Sequence, residues 1–458
     1  MSLKPRISKG TRDFNSQEIA DREYVFDIIK KNFQLYGYQP IETPSFELRE
    51  NLLGKYGMDA DRLVFKILNS GEKLRNADLS ALEDNLLTKF SNSLSEKALR
   101  YDLTVPLARY VSQNQNEITF PFKRYQIQPV WRADRPQKGR FQEFYQCDAD
   151  LLGSDSLWSE IEFIKLFDSV FTDLKLGGVN LKINNRKILY SISELISIND
   201  RFSEFTSILD KIDKIGIEEV KKLILLAGIS NEKFKKIEFL FLKDVPVNDK
   251  ILNLKLLLSN SKIGTDGISE IEFIFNTMDQ LNLETINLEL DLTLARGLNY
   301  YTGTIFEAVS NSIDIGSIAA GGRYDDLTSI FGLNNISGVG ISFGLDRILF
   351  LLKEQGLLPQ KNEDKIEVMF TNFGNKESLF SYNAIMKLRE KGIICELYPN
   401  DSKLKKQISY ANKKGIPFIV LVGENELYMR KYTLKNMSNG SQKTIDLQGL
   451  ISNFTKKK

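Results

Sequence analysis

Apolar positions near the start of the chain recur every three to four residues. Tyr24, Val25, Ile28, Ile29 and Phe33 fall on one face, which predicts an amphipathic helix over 16–35. Asn15 followed by Glu18 has the spacing of a capping box, and Gly37 is a natural stop. Pro40 and Pro44 make 39–46 extended. Aromatic and branched residues crowd 122–131, an extended pattern resumes over 141–150, and a polar loop at 134–139 carries Pro136 and Gly139. Strand, polar loop and strand read as a long antiparallel hairpin, and 99–150 as a whole reads mostly as strands and loops.

Helical periodicity returns over 157–174, and Val179, Leu181 and Ile183 alternate as in a strand. Residues 186–284 are rich in Lys, Ile, Leu and Glu, low in Pro and Gly, and helical in period, which points to an inserted helical domain. Strands and glycine-containing turns fill 285–350, and 359–364 is a polar linker. Beyond it, apolar runs at 366–370, 393–397 and 416–422 alternate with helices around 376–391 and 402–414. That order predicts a small α/β domain with a parallel sheet.

Composition narrows the chemistry. The 458 residues are 42% hydrophobic and 27% charged, so a large core can form in two or three domains. Lys plus Arg (62) nearly balances Asp plus Glu (60), so any nucleic-acid binding must rest on local basic patches. Two cysteines, Cys147 and Cys395, exclude a disulfide framework and a cysteine-based zinc site. No signal peptide or 18-residue apolar run is evident, which makes the cytoplasm the expected location, without a membrane. Histidine is absent, which excludes Ser-His-Asp triads, Cys-His dyads and HExxH zinc sites.

Four segments concentrate residues suited to anions and rings. Arg132 ends one hairpin strand, and Arg140 and Phe144 lie four apart on the other, where a continuous strand puts them on one face. Arg suits bidentate phosphate contact and a ring can stack on a nucleobase. A solvated basic hairpin with a core Phe has the same spacing. The second segment is Asp291–Glu307, in which Arg296 and Gly297 precede the Tyr300–Tyr301 pair. Paired tyrosines are ordinarily packing residues, but an Arg in an apolar segment needs a partner. The third holds Gly321 and Gly322 before Arg323-Tyr324-Asp325-Asp326, and the fourth is Gly338-Val339-Gly340-Ile341-Ser342-Phe343-Gly344-Leu345-Asp346-Arg347. Glycine weakens a strand, so its density suggests close approach of a ligand or backbone. A helix after Gly344 would offer N–H groups and Arg347 to phosphate.

In combination and order these segments resemble class II aminoacyl-tRNA synthetases. Trp131-Arg132-Ala133-Asp134, then Arg140 and Phe144, is similar to their motif 2, and 338–347 to motif 3. The first helix and Pro44 resemble motif 1, the usual dimer-interface element. Arg296-Gly297-Leu298-Asn299-Tyr300-Tyr301 and Gly321-Gly322-Arg323-Tyr324-Asp325 narrow the resemblance to the histidyl-tRNA synthetase family. Lys9-Gly10-Thr11-Arg12-Asp13 and Tyr101-Asp102-Leu103-Thr104-Val105-Pro106 agree with it.

The resemblance implies a fold and an activity. The fold is an α+β catalytic domain with a mixed, mainly antiparallel sheet over 1–185 and 285–358, a helical insertion over 186–284, and an α/β anticodon-binding domain over 365–458. The activity is histidine–tRNA ligation by a homodimer, with ATP as substrate, Mg²⁺ bridging its phosphates, and tRNA(His) as acceptor. Arg132 and Arg296 would be catalytic at the α-phosphate. Arg132, Arg140, Phe144 and Arg347 would bind ATP, with Phe144 on adenine. Asp102, Leu103, Thr104, Gln146, Asp150, Tyr300 and Tyr301 would form the histidine pocket: Asp102, Thr104 and Gln146 for the ammonium, Asp150 and Tyr301 for the ring nitrogens. No metal ligand is assigned to the protein. Arg135 and Lys138 in the hairpin loop, basic positions within 233–236, and Lys403, Lys405 and Lys406 would meet tRNA. The alternatives are a synthetase-like regulatory subunit of ATP phosphoribosyltransferase, which lacks the C-terminal domain, a class II synthetase for proline, threonine or glycine, against which the two histidine-specific segments argue, and a synthetase-like tRNA-sensing module of a regulatory protein, for which the sequence offers no effector segment. The absent histidine would let such an enzyme be made when charged tRNA(His) is scarce; lineage bias or deliberate sequence redesign leaves the same absence.

Overall fold

The computed structural model describes residues 4–53, 62–135, 139–242, 245–295, 300–359 and 366–455. The chain forms two compact units, 1–359 and 360–458.

Eight strands of the first unit make one sheet. They are β1 (Gln39–Pro40), β5 (Phe122–Trp131), β6 (Glu143–Leu152), β11 (Gly338–Gly344), β10 (Ala319–Tyr324), β9 (Thr304–Ser310), β7 (Val179–Asn185) and β8 (Ile286–Leu290), in that spatial order. Only the outermost pairings, β1 with β5 and β7 with β8, are parallel. A separate three-stranded sheet joins β2 (Phe46–Leu48), β3 (Lys66–Ile67) and β4 (Lys97–Leu99).

The large sheet has two unlike faces. Tyr125, Cys147, Ala149, Ile341, Phe343, Phe306 and Ala308 are buried on one, against Val25, Ile29 and Phe33 of helix Ser16–Leu35 and Phe163, Phe167 and Phe171 of helix Trp158–Asp173. Phe343 is the pin, with ring centroids 6.0, 5.3 and 5.7 Å from Phe33, Phe167 and Phe171. Each such pair contributes about 0.5–1.5 kcal/mol beyond burial. Side chains alternate along a strand, so fixing Phe343 in the core turns Ser342 to the opposite face, where the polar residues lie. The capping box on the first helix is present in both directions, from Asn15 and from Glu18.

One sequence expectation fails here: Thr104–Gln113 is a helix, not strand or loop. The Asp102 carboxylate accepts the Val105 amide at 3.1 Å, and Pro106 sits in the first turn, where an α-helix needs no donor. Helices from Arg186–Leu195 to Lys262–Leu281 fill the stretch between β7 and β8, and their buried Ile188, Leu189, Ile268 and Ile271 join the same core as the sheet.

The second unit has a five-stranded sheet in the order β13 (Cys395–Leu397), β12 (Val368–Phe370), β14 (Phe418–Leu421), β15 (Tyr432–Asn436) and β16 (Gln442–Ile445). The first three are parallel as expected, but β15 and β16 add an antiparallel hairpin, so the sheet is mixed. Val368, Phe370, Val420 and Leu434 pack with Ala384, Ile385 and Leu388 of helix Asn375–Arg389. Met369 and Ile419 pack with Ala411 of helix Leu404–Lys413.

Candidate functional site

The alternation of β6 builds the site. Phe144, Gln146, Asp148 and Asp150 share the face opposite Tyr145, Cys147 and Ala149. Across β5 they meet Val130, Gln128, Gln126 and Arg124, and across β11 the last three meet Gly344, Ser342 and Gly340. The sheet therefore carries a polar file down its centre, opposite the aromatic core.

At one end stands Arg132. Its Nε donates to the Tyr101 carbonyl at 3.0 Å, and its guanidinium lies 4.3 Å from the Tyr101 ring centroid and 5.2 Å from that of Phe144. Its Nη2 reaches Gln146 Oε1 at 3.5 Å, and Gln146 Nε2 donates to the Ser342 hydroxyl at 3.0 Å. Two rings thus hold a half-buried cation beside a nucleobase-sized aromatic. Arg140 lies before the β6 ladder begins at Glu143, so the continuous-strand argument for Arg140 and Phe144 does not apply. Arg140 is more exposed and faces Asp134 at 3.4 Å. Arg347, in the first turn of helix Leu345–Glu354, donates to the Ser317 carbonyl.

At the other end is a cluster of acids. Asp150 Oδ2 is 2.7 Å from Arg124 Nη2, and Asp150 Oδ1 accepts the Tyr324 hydroxyl. A Cβ on Gly340 would overlap that Oδ1, so the glycine leaves space for the carboxylate. Arg124 is fully buried and also reaches Gln126 Oε1 at 3.2 Å and the Leu103 carbonyl at 3.4 Å. Asp102 and Thr104, at the start of helix Thr104–Gln113, are buried, as is Leu103. Burial pushes the Asp148 carboxyl up to about 7, opposed by Arg124 and reinforced by Asp150. Burial likewise raises Asp150, against the pull of Arg124 and the Tyr324 hydroxyl, and it raises the Tyr301 phenol, with Asp150 and Asp148 adding to the effect.

Tyr300 and Tyr301 lie in the turn before β9 rather than in a strand, their ring centroids 4.9 Å apart. A Cβ on Gly322 would come within 2.8 Å of the Tyr301 ring, so this glycine lets the ring lie on the sheet. Arg323 braces the turn: it pairs with both oxygens of buried Glu160 at 2.5 and 2.6 Å, and its carbonyl accepts the Thr302 amide at 2.8 Å. The N-terminal segment packs here too, with Arg12 on Asp346 at 3.1 Å and the Gly10 carbonyl accepting the Gln142 amide at 2.8 Å. Arg296 with Gly297, Leu298 and Asn299, and residues 136–138 including Lys138, lie outside the described residues. Among the described residues, no three carboxylates or cysteines are grouped as a metal cage.

A family model described as Histidyl-tRNA synthetase matches residues 72–348, and one described as Anticodon binding domain matches 375–457. A Christiangramia forsetii protein named Histidine--tRNA ligase is 55% identical over 451 residues, covering 98% of this chain and 99% of its own. The chain belongs to the histidyl-tRNA synthetase family. A Bacteroides fragilis relative of the same name is 50% identical over the full length of both chains. The crystal structure of histidyl-tRNA synthetase from Nostoc sp. PCC 7120 superposes with TM-score 0.76 at 28% identity, covering both chains fully.

Within this histidyl-tRNA synthetase fold the structure brings Gln146 and Asp150 to one face of the sheet with Arg132 and Phe144, and Asp102, Tyr300 and Tyr301 beside them, while Thr104 is buried at the start of the helix that follows Asp102. It adds three residues that the sequence reading left without a role: Arg124, Asp148 and Tyr324. The available signal was the run of even-numbered polar residues on β6, which by itself reads as a solvated strand face.

Proposed function

We propose that the chain is a histidine–tRNA ligase: it joins L-histidine to ATP as histidyl-adenylate, then transfers the histidyl group to the 3′ end of tRNA(His). The observation that carries this reading is the continuous polar file on β6, with the cation and ring of Arg132 and Phe144 at one end and the Asp150–Arg124–Tyr324 cluster at the other. A cation and ring suited to phosphate and base adjoin a buried acidic cluster.

In the first step a carboxylate oxygen of histidine attacks the α-phosphorus, the bond to the β-phosphate oxygen breaks, and pyrophosphate leaves. In the second, the ribose hydroxyl of the tRNA end attacks the carbonyl carbon, loses its proton, and AMP leaves. Neither step needs a protein nucleophile; both need alignment and a fixed cation where charge develops. Arg132 fills that role, with Arg296 as its partner in the reading. Arg140 and Arg347 take the outer phosphates. Mg²⁺ would enter with ATP and neutralise charge on the triphosphate, and no residue of the chain is assigned to hold it. Asp102, Leu103, Thr104 and Gln146 surround the ammonium end, and Asp150, Tyr300 and Tyr301 the ring. A pocket built to hydrogen-bond a polar side chain rejects analogues lacking it by about 10⁴-fold or more.

The reading assigns 1–185 and 285–358 to the catalytic domain, 186–284 to the inserted helices and 365–458 to anticodon recognition. Lys403, Lys405 and Lys406 are exposed, as are Lys235 and Lys236, and suit a phosphate backbone. It also includes a homodimer acting in the cytoplasm; exposed Phe46 and Leu48 on the small sheet support a covered face there. No helix among the described residues is long and apolar enough to cross a membrane. Charging of tRNA(His) transcript with labelled histidine tests the reading; failure to charge with intact folding overturns it.

A further inference from the structure

Asp148 stands apart from its acidic neighbours. It is 2% exposed, the Ser342 hydroxyl hydrogen-bonds its carboxyl, and its Oδ1 has no hydrogen-bond partner among the described residues. In Asp150, Oδ1 accepts the Tyr324 hydroxyl, and Oδ2, which likewise makes no hydrogen bond, is offset by the ion pair with Arg124 at 2.7 Å. A buried acceptor left without a donor is destabilising, the more so when charged. Folded proteins keep few such groups, and each asks for a reason.

Position supplies one. Gln146, Asp148 and Asp150 follow each other on one face of β6, with Gln146 nearest Arg132. Each two-residue step is about 7 Å. An amino acid with its carboxylate at Arg132 therefore lays its side chain toward Asp148 and Asp150. Beside Asp148 the sheet is shallow: the residues aligned with it on β11 and β10 are Ser342 and Ala320. One row on, the Tyr301 ring lies against Gly322.

We propose that Asp148 is a specificity-determining residue whose open Oδ1 accepts an N–H of the bound imidazole, alongside Asp150 and Tyr301. The inference rests on the histidine-ligating reading above. The groups facing Asp148 are Arg124 and Gln126 on β5, Gln146 and Asp150 on β6, Ser342 on β11, Asp102 at the adjacent helix start, and Tyr301. The Arg124 guanidinium acts on both Asp148 and Asp150 and is already paired with Asp150. The carboxyl of Asp148 is thereby poised near neutrality, and a ring N–H placed on it satisfies the open oxygen. A ring of equal size without N–H leaves that oxygen bare.

The test compares kcat/KM in ATP–pyrophosphate exchange at pH 8 for histidine and for β-(2-thienyl)alanine, which keeps the ammonium and ring size but has no ring N–H. Asp148→Asn keeps volume, and Asp148→Ala removes the acceptor. The expected result is a loss of roughly 10- to 100-fold with histidine, larger for Ala than Asn, and less than about threefold with the thienyl analogue, so discrimination falls. Equal losses with both substrates, the signature of an ammonium contact or a structural role, overturn the proposal, as does no change with either. Wild-type protein inactive with histidine would instead defeat the underlying reading.

Discussion

Arg124 and Asp150, directly opposed on adjacent strands, form an ion pair at 2.7 Å with their side chains 0% and 4% exposed. Such a pair adds little net stability over a well-packed apolar pair, but removing one partner strands the other charge. Arg124→Met should therefore cost about 3–5 kcal/mol in urea unfolding. The double variant Arg124→Met with Asp150→Leu should recover much of that stability and still fail in histidine-dependent exchange.

Gly340 is required by Asp150 rather than by its own backbone. A Cβ there would overlap Asp150 Oδ1 within a paired strand that has little freedom to move. Gly340→Ala should cost about 1–3 kcal/mol and push the carboxylate aside. Steady-state exchange kinetics should show KM for histidine rising at least tenfold more than KM for ATP.

Arg132 is held between two rings but is only half-buried, so its loss is a functional rather than a folding defect. Arg132→Ala should lower kcat for exchange by about 10²–10³, as expected for a lost electrostatic donor, with melting temperature nearly unchanged. Arg132→Lys keeps a charge but loses the planar fork, and should recover only a minor part.

The Asp148 carboxyl titrates near pH 7 in the folded chain, against an ordinary value of 3.8. A raised carboxyl favours the folded state while it is protonated, so its contribution is whole below about pH 4 and is lost as pH rises toward 7. Wild-type stability should fall over that window relative to Asp148→Asn, by as much as roughly 4 kcal/mol. Chemical denaturation of both proteins at pH 4.5 and pH 8 reads the difference.

Much of the frame was legible because local and global cues agree. The first helix carried its period and its cap in adjacent residues. The hairpin strands carried theirs in aromatic and branched residues, and the inserted helices in a shift of composition. Helix Thr104–Gln113 was not legible, because Asp102-Leu103-Thr104-Val105-Pro106 looks extended until Asp102 is seen capping the turn and Pro106 occupying a donor-free position. The β15–β16 hairpin was hidden for a similar reason: the alternating β and α pattern before it extrapolates to a purely parallel sheet. In the candidate site, the motif residues were found by resemblance to a family. Arg124 and Asp148 were not, since a charged residue in a strand ordinarily points to water. Only the register to Gly340 and Ser342, which no short motif encodes, places them inside.

The central claim is that the acidic pocket beside Arg132 selects histidine for adenylation. Amino-acid-dependent ATP–pyrophosphate exchange with the purified full-length protein and all twenty amino acids tests it most directly. Exchange with histidine alone is the predicted result. Exchange with a different amino acid, or none with histidine while histidine still binds, would contradict it.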